Sequence, residues 1–186
     1  MTTKELVDGC IAKNIEAQRY LFDTYSNRLL GIVVRYFNDI DDAEDVLMET
    51  FVTILKKIDT YSGHEEEKVF FGWIKKIAVN KALTKIRHDK AKHKEDRMED
   101  DFKLISLEDT ADHKLDAQYL LTMIQELPRQ QRTVFNLYAI EGYSHKEIAD
   151  ELGISESTSK SNYSRAKDKL QVKVNKYREV YEVESN

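Results

Sequence analysis

Apolar residues recur every three or four positions along most of the chain, which is the spacing of amphipathic α-helices. Two such stretches occupy residues 4–37, and a third covers residues 41–58, where short acidic side chains can cap the first free amides. A polar loop follows at residues 61–68, and another helical pattern extends over residues 70–86. The pattern predicts an all-α protein.

The helix predicted over residues 41–58 has two different faces. One is apolar and suits a core, with Val46, Leu47, Phe51, Ile54, Leu55 and Ile58. The other mixes acidic and apolar residues at positions i, i+3, i+4 and i+7, namely Asp45, Met48, Glu49 and Val52. This second face is available to a partner protein.

The last third of the chain has the pattern of a helix-turn-helix. Ser144 and Glu147 form a capping box for a short helix, Gly153 permits a tight turn, and Ser155 can cap the next helix. Pro128 begins the preceding helix, whose apolar face is expected to hold Val134, Phe135, Tyr138 and Ile140.

Composition agrees with an all-α fold. One proline and six glycines in 186 residues disfavour the many turns of a sandwich or barrel, and 41% hydrophobic residues suffice for a core. Cys10 is the only cysteine, so intramolecular disulfides are excluded and a reducing compartment is favoured. No segment approaches the ~18 apolar residues of a membrane span. We therefore expect a cytoplasmic protein without membrane insertion.

Charge is segregated along a chain whose formal net charge is −5. Residues 37–67 carry net −8 and residues 95–116 net −6, whereas residues 69–94 carry net +7 and residues 157–178 net +6. Phosphate attraction depends on local clustering of charge within about 10 Å, so the two basic segments suit nucleic acid despite the negative total.

The region around residues 93–112 is mostly polar and predicts a flexible connection. The expected organisation is two helical domains, at residues 1–92 and 116–186, joined by a flexible linker at residues 93–115. A linker of this length can hold two modules on separate sites of one duplex.

Three motifs, in order, resemble those of a known family. The motif Ala43-Glu-Asp-Val-Leu-Met-Glu-Thr-Phe51 is similar to the core-binding signature of bacterial RNA polymerase sigma factors. Phe71-Gly-Trp-Ile-Lys-Lys-Ile-Ala-Val-Asn80 is similar to the promoter-melting segment, and residues 127–170 to the C-terminal domain. The chain thus resembles the small extracytoplasmic-function (ECF) group of the sigma-70 family, with a region 2 domain followed by a region 4 domain.

The resemblance implies how each segment functions. In the family, the acidic helix docks on the clamp helices of the largest subunit of core RNA polymerase, which assigns that contact to Asp45, Met48, Glu49 and Val52. Met48 replaces the usual glutamine, so the contact there should be more apolar. An anti-sigma factor is a further partner that the resemblance implies.

The basic helix resembles the element that binds the minus-ten promoter region and its opened strand. Lysines attract phosphates, an asparagine can pair with a base edge, and aromatic rings can stack on an unpaired base. The residues expected at this DNA are Tyr61, Trp73, Lys76, Asn80, Lys81, Lys85 and Arg87.

The second helix of the helix-turn-helix resembles the reader of the minus-thirty-five element in the major groove. Asn162 replaces a usual arginine and suits adenine. Ser159 replaces a usual valine, which should loosen the packing by about 1 kcal/mol. The residues expected at this element are Ser155, Thr158, Lys160, Ser161, Asn162, Arg165 and Lys167.

Other functions find less support in the sequence. There is no phosphate-binding loop, zinc-protease helix or nucleophile elbow, so we expect no catalytic residues, no metal and no cofactor. The alternative is a stand-alone helix-turn-helix regulator whose N-terminal bundle dimerises or senses a ligand, and which binds palindromic duplex DNA by itself. A purely structural helical protein would bind neither polymerase nor DNA.

Overall fold

The computed structural model describes residues 1–63, 66–92 and 114–184. The chain divides into two compact units, residues 1–100 and 101–186. Every regular element described is helical, as predicted. None of the described helices is both long and apolar enough to cross a bilayer. The predicted linker falls largely on residues 93–113, outside the described residues, and the first helix after it already begins at Lys114.

In its described residues the first unit has the α-helices α1 (Thr3–Ile11), α2 (Ile15–Val33), α3 (Ile40–Lys57) and α4 (Glu67–Lys92), with short 3-10 turns at Val34–Tyr36 and Ile58–Thr60. Their starts follow from local side chains. Thr2 and Glu5 form a capping box at α1, and the Asn14 side chain accepts hydrogen bonds from the first turn of α2. Asp39 caps α3 by accepting from the Asp41 amide, so this helix begins one residue before the predicted start.

The apolar faces of α2, α3 and α4 meet in a shared core. Its fully buried side chains include Leu21, Leu29, Val33, Ile54, Phe70, Ile74 and Leu83. At the beginning of α4, Arg28 donates a 2.7 Å hydrogen bond to Glu67 and stacks its guanidinium 3.9 Å from the centroid of the Phe71 ring. These contacts fix the start of the basic helix α4 against α2.

The second unit contains α5 (Lys114–Gln125), α6 (Arg129–Phe135), α7 (His145–Leu152) and α8 (Glu156–Glu184). The helix-turn-helix prediction is confirmed in its details. Ser144 and Glu147 form the capping box of α7, Gly153 lies in the left-handed region at φ 61°, and the Ser155 hydroxyl accepts from the Thr158 amide at 3.0 Å. The helix pair therefore has the expected geometry.

The apolar face after α6 differs from the prediction. Val134 is buried, but Tyr138 and Ile140 are exposed and Leu137 takes the interior position. Residues Asn136–Ile140 form a π-helical turn, in which the Glu141 amide donates to the Asn136 carbonyl five residues earlier. The wider turn shifts the phase of the helix, so the residues that face inward change from this point.

Candidate nucleic-acid interface

The side of α3 that the sequence predicts to be available to a partner is exposed. Asp45, Met48, Glu49 and Val52 all lie in solvent, while the opposite side packs into the core. Met48 is 54% exposed and Val52 is 49% exposed, so two sizeable apolar side chains contact water beside two carboxylates. Exposed apolar side chains rimmed by charge are typical of a protein-binding surface.

The residues of α4 that are expected to contact DNA lie on two different sides of the helix. Trp73, Lys76, Asn80 and Arg87 lie at i, i+3, i+7 and i+14, on one face of the helix. On this face the three polar side chains are exposed and the indole is half-buried. Lys81 and Lys85 are rotated toward α3 and are only partly exposed.

Lys81 and Lys85 have acidic partners on the neighbouring helix. The Lys81 Nζ lies 3.4 Å from the Glu49 Oε2, and the Lys85 Nζ lies 3.0 Å from the Asp42 Oδ1. The hydrogen bond to Asp42 raises the pKa of the Lys85 ammonium. The sequence pattern indicated separate surfaces for the acids of α3 and the bases of α4. In the fold these side chains meet where α3 packs against α4.

Two expected aromatic residues form a cluster at the start of α4. The Tyr61 ring lies 5.3 Å from the Trp73 ring and 5.2 Å from the buried Phe70 ring, centroid to centroid. Burial raises the pKa of the Tyr61 phenol. Gly63 packs so closely on this ring that an added Cβ would clash with the Tyr61 side chain. No local pattern in the sequence indicates this role of Gly63, because only the folded loop brings it against Tyr61.

The outer side of α8 presents most of the residues expected at the minus-thirty-five element. Ser155, Lys160, Ser161, Arg165 and Lys167 are exposed, and Thr158 is partly exposed. The Lys160 Nζ lies 2.7 Å from Glu156, and this hydrogen bond lowers the pKa of the Glu156 carboxyl. Part of the positive charge of Lys160 is therefore neutralised within the helix.

Asn162 does not lie on that outer side, which contradicts its predicted base contact. It is only 7% exposed and shares the inner face of α8 with Ser159 and Ala166, at i−3 and i+4. This face packs on α6 and α7, so the helix phase places the amide inside the unit rather than in a groove.

Ser159 lies in the interior of the unit, as its predicted packing position requires, and the predicted loosening stays a prediction. Its side chain is completely buried, and its hydroxyl lies 2.9 Å from the Nδ1 atom of His145 on α7. The expected loosening assumed an uncompensated loss of apolar volume, whereas the buried hydroxyl has a hydrogen-bond partner. The sequence contains both residues but gives no indication that they are paired.

Comparison with known proteins matches each unit separately. The family model for sigma-70 region 2 matches residues 21–92, and the model for sigma-70 region 4 matches residues 117–170. The two matches occur in the predicted order and together cover about two thirds of the chain.

Curated relatives match over most of their own lengths. The RNA polymerase sigma-H factor of Pseudomonas aeruginosa is 26% identical, covering 91% of this chain and 94% of that protein. The ECF RNA polymerase sigma-E factor of Haemophilus influenzae is 25% identical, covering 94% and 96%. The ECF sigma factor SigM of Bacillus subtilis is 28% identical, covering 84% and 94%.

A solved structure is similar in fold. The sigma factor RpoE of Bartonella quintana, determined in complex with the anti-sigma factor NepR, matches with a TM-score of 0.56 and 20% identity. The match covers 84% of this chain and 96% of that one. With both regions matched in order and full-length ECF relatives, the chain belongs to the sigma-70 family as an RNA polymerase sigma factor of the ECF group.

Proposed function

We propose that this sigma factor binds the clamp helices of core RNA polymerase through the exposed face of α3. Asp45 and Glu49 supply charge, while Met48 and Val52 supply apolar area that becomes buried on binding. The observation that carries the proposal is an exposed, mixed acidic and apolar helix face inside the segment matched by region 2. An ordinary surface helix would leave few large apolar side chains in water on its polar face.

The minus-ten element is assigned to the open face of α4. Lys76 and Arg87 attract phosphates, Asn80 can pair with a base edge, and the half-buried rings of Tyr61 and Trp73 offer a stacking surface. Lys81 and Lys85 are expected to contribute less to DNA binding than the residues of the open face. They already pair with Glu49 and Asp42, and those ion pairs must exchange before either lysine contacts DNA.

The minus-thirty-five element is assigned to the outer side of α8. Arg165 can donate two hydrogen bonds to guanine, and the hydroxyls of Thr158 and Ser161 can contact base edges. Ser155, Lys160 and Lys167 suit phosphates on either side of the groove. Asn162 is left out because of its burial.

The remaining features of the proposal concern the whole protein. Residues 1–92 form the polymerase and minus-ten domain, residues 116–186 form the minus-thirty-five domain, and residues 93–115 link them. The protein works in the cytoplasm, without metal or cofactor, and catalysis belongs to the polymerase. An anti-sigma factor is a further partner, as in the complex of the related RpoE.

A pair of variants tests the division between the two units. Glu49→Lys reverses a charge at the proposed clamp contact, so it should reduce co-elution with bacterial core RNA polymerase at least tenfold. Such a loss is typical of an interface position that becomes buried. Asp23→Lys makes the same charge change on the exposed side of α2 and should leave co-elution intact.

Arg165→Ala should leave polymerase binding intact and reduce promoter-directed transcription, because the variant removes only a groove contact of about 1–3 kcal/mol. Loss of polymerase binding in Arg165→Ala would contradict the proposal. So would a wild-type protein that ignores core polymerase and shifts duplex DNA by itself, which is the behaviour of a stand-alone regulator.

A further inference from the structure

The two helices of the helix-turn-helix share a polar contact. His145 is the first residue of α7, and its Nδ1 atom lies 2.9 Å from the Ser159 Oγ on α8. Ser159 is completely buried and His145 is partly buried. A hydrogen bond has a preferred distance and direction, and the buried Ser159 hydroxyl has no water to turn to if the bond is broken.

Aromatic rings hold the imidazole in place. Tyr138 stacks on His145, with ring centroids 4.2 Å apart and an angle of 10° between the planes. Tyr163 of α8 contacts both rings, at 4.5 Å from Tyr138 and 5.9 Å edge-on to His145. Ser159 and Tyr163 are one turn apart on α8, so this cluster contacts the helix at two successive turns of its inner side.

The cluster determines how α8 is rotated about its axis. Ser159 and Tyr163 lie on or beside the inner side, while Ser161 and Arg165 point outward from the same two turns. A rotation of about 20° moves a side chain by roughly 2 Å at the helix surface, some 5–6 Å from the axis. That displacement exceeds the tolerance of a hydrogen bond to a base edge.

We infer that His145 is a positioning residue which, through its hydrogen bond to Ser159, sets the rotation of α8 and thereby the bases that Ser161 and Arg165 read. The inference rests on the proposed role of α8 at the minus-thirty-five element. Apolar contacts between helices tolerate small slips, whereas a hydrogen bond between one nitrogen and one hydroxyl holds the two atoms within a narrow range of distance and angle. His145 itself contacts no DNA in this account.

A double-mutant cycle in the full-length protein tests the inference. His145→Phe keeps a stacking ring but lacks the nitrogen, and Ser159→Ala lacks the hydroxyl. The probe is the promoter that the wild-type holoenzyme, assembled with bacterial core polymerase, selects from a library randomised at the minus-thirty-five element. Each single variant should bind this promoter about fivefold to tenfold more weakly, because a rotated α8 weakens a base contact worth about 1–3 kcal/mol.

The double variant should lose no more promoter binding than either single variant. It contains neither polar group, so no group is left unpaired. His145→Asn should retain binding, since its side-chain amide can place either an accepting oxygen or a donating N–H near the position of the Nδ1 atom. A repeated selection with His145→Phe should give relaxed base preference at the minus-thirty-five element and unchanged preference at the minus-ten element. Thermal unfolding of each variant shows whether weaker binding is due to a loss of fold. Binding by His145→Asn separates loss of the hydrogen bond from loss of the imidazole ring itself.

Arg165→Ala separates the two proposals. If Arg165→Ala loses minus-thirty-five preference while His145→Phe and Ser159→Ala retain wild-type affinity and selection, the positioning inference is overturned and the role of α8 stands. Additive costs in the double variant would overturn it as well. If Arg165→Ala keeps wild-type preference at this element, the proposed function of α8 fails instead.

Discussion

Ser161 and Asn162 are neighbours on α8 in opposite environments. Ser161 is exposed and its hydroxyl donates to the Thr158 carbonyl at 3.0 Å, while Asn162 is buried. A change of one position along a helix rotates a side chain by about 100°, so adjacent polar residues can have unrelated tasks. The first belongs to the surface that we propose meets DNA, and the second to the interior.

We therefore predict opposite effects of two alanine substitutions. Asn162→Ala should lower the free energy of unfolding of the second unit by about 1–3 kcal/mol, because it removes a buried polar side chain. Ser161→Ala should change that free energy by less than about 0.5 kcal/mol and should weaken binding to the minus-thirty-five element. Urea unfolding and promoter binding measure the two effects. An unfolding curve for Asn162→Ala identical to wild type would contradict the assigned burial.

At the scale of elements, the contact between α3 and α4 joins two surfaces with different proposed partners. The Glu49 carboxylate faces polymerase in the proposal and also pairs with Lys81 of the DNA-facing helix. The Asp42 carboxylate pairs with Lys85, which also has Asp89 at 3.9 Å on its own helix. These ion pairs are partly exposed, so each contributes at most about 1 kcal/mol.

The Asp42–Lys85 pair predicts a pH-dependent stability difference. The pKa of Lys85 is raised in the folded state, so its contribution is fully present below the ordinary lysine value and is lost as pH rises through the raised pKa. Asp42→Asn should lower the free energy of unfolding by up to about 1 kcal/mol at pH 8, with a smaller difference near pH 11. Urea unfolding at both pH values measures this.

Asp23→Asn serves as the control for the same experiment, because Asp23 is an exposed acid on α2. Its unfolding free energy should follow that of wild type within about 0.5 kcal/mol at both pH values. Tyrosine ionisation near pH 11 affects all three proteins alike. A difference for Asp42→Asn that is equal at pH 8 and pH 11 would argue against the charged pair.

At the scale of the whole molecule, each unit has its own buried core. Leu29, Ile54 and Ile74 belong to the first, and Leu137 and Ile148 to the second. Units with separate cores are expected to fold when expressed alone.

The division into domains predicts the behaviour of fragments. Residues 1–92 alone should be helical by circular dichroism and should co-elute with core polymerase, whereas Glu49→Lys in the same fragment should not. Residues 114–186 should fold without the first unit, because α5 begins at Lys114. A fragment 1–92 that is unfolded, or folded but indifferent to core polymerase, would contradict the assignment of the polymerase contact to this domain.

The sequence by itself determined the all-helical fold, the caps of the helix-turn-helix and the exposed side of α3. These features depend on residues within one or two turns of one another, such as the Ser144–Glu147 capping box and the left-handed Gly153. The helical spacing of apolar residues also placed Asp45 and Glu49 away from the core side of α3. Local chemistry was sufficient for all of them.

Only the tertiary structure decided which side chains meet. The ion pairs of Lys81 and Lys85 and the bond between His145 and Ser159 join residues that lie far apart in sequence. The burial of Asn162 depends on how α8 is rotated against its neighbours. The π turn at Asn136–Ile140 changed which side chains face inward after α6, and Tyr138 became exposed. Contacts between helices depend on rotation and packing, which hydrophobic period constrains only to within about a quarter of a turn.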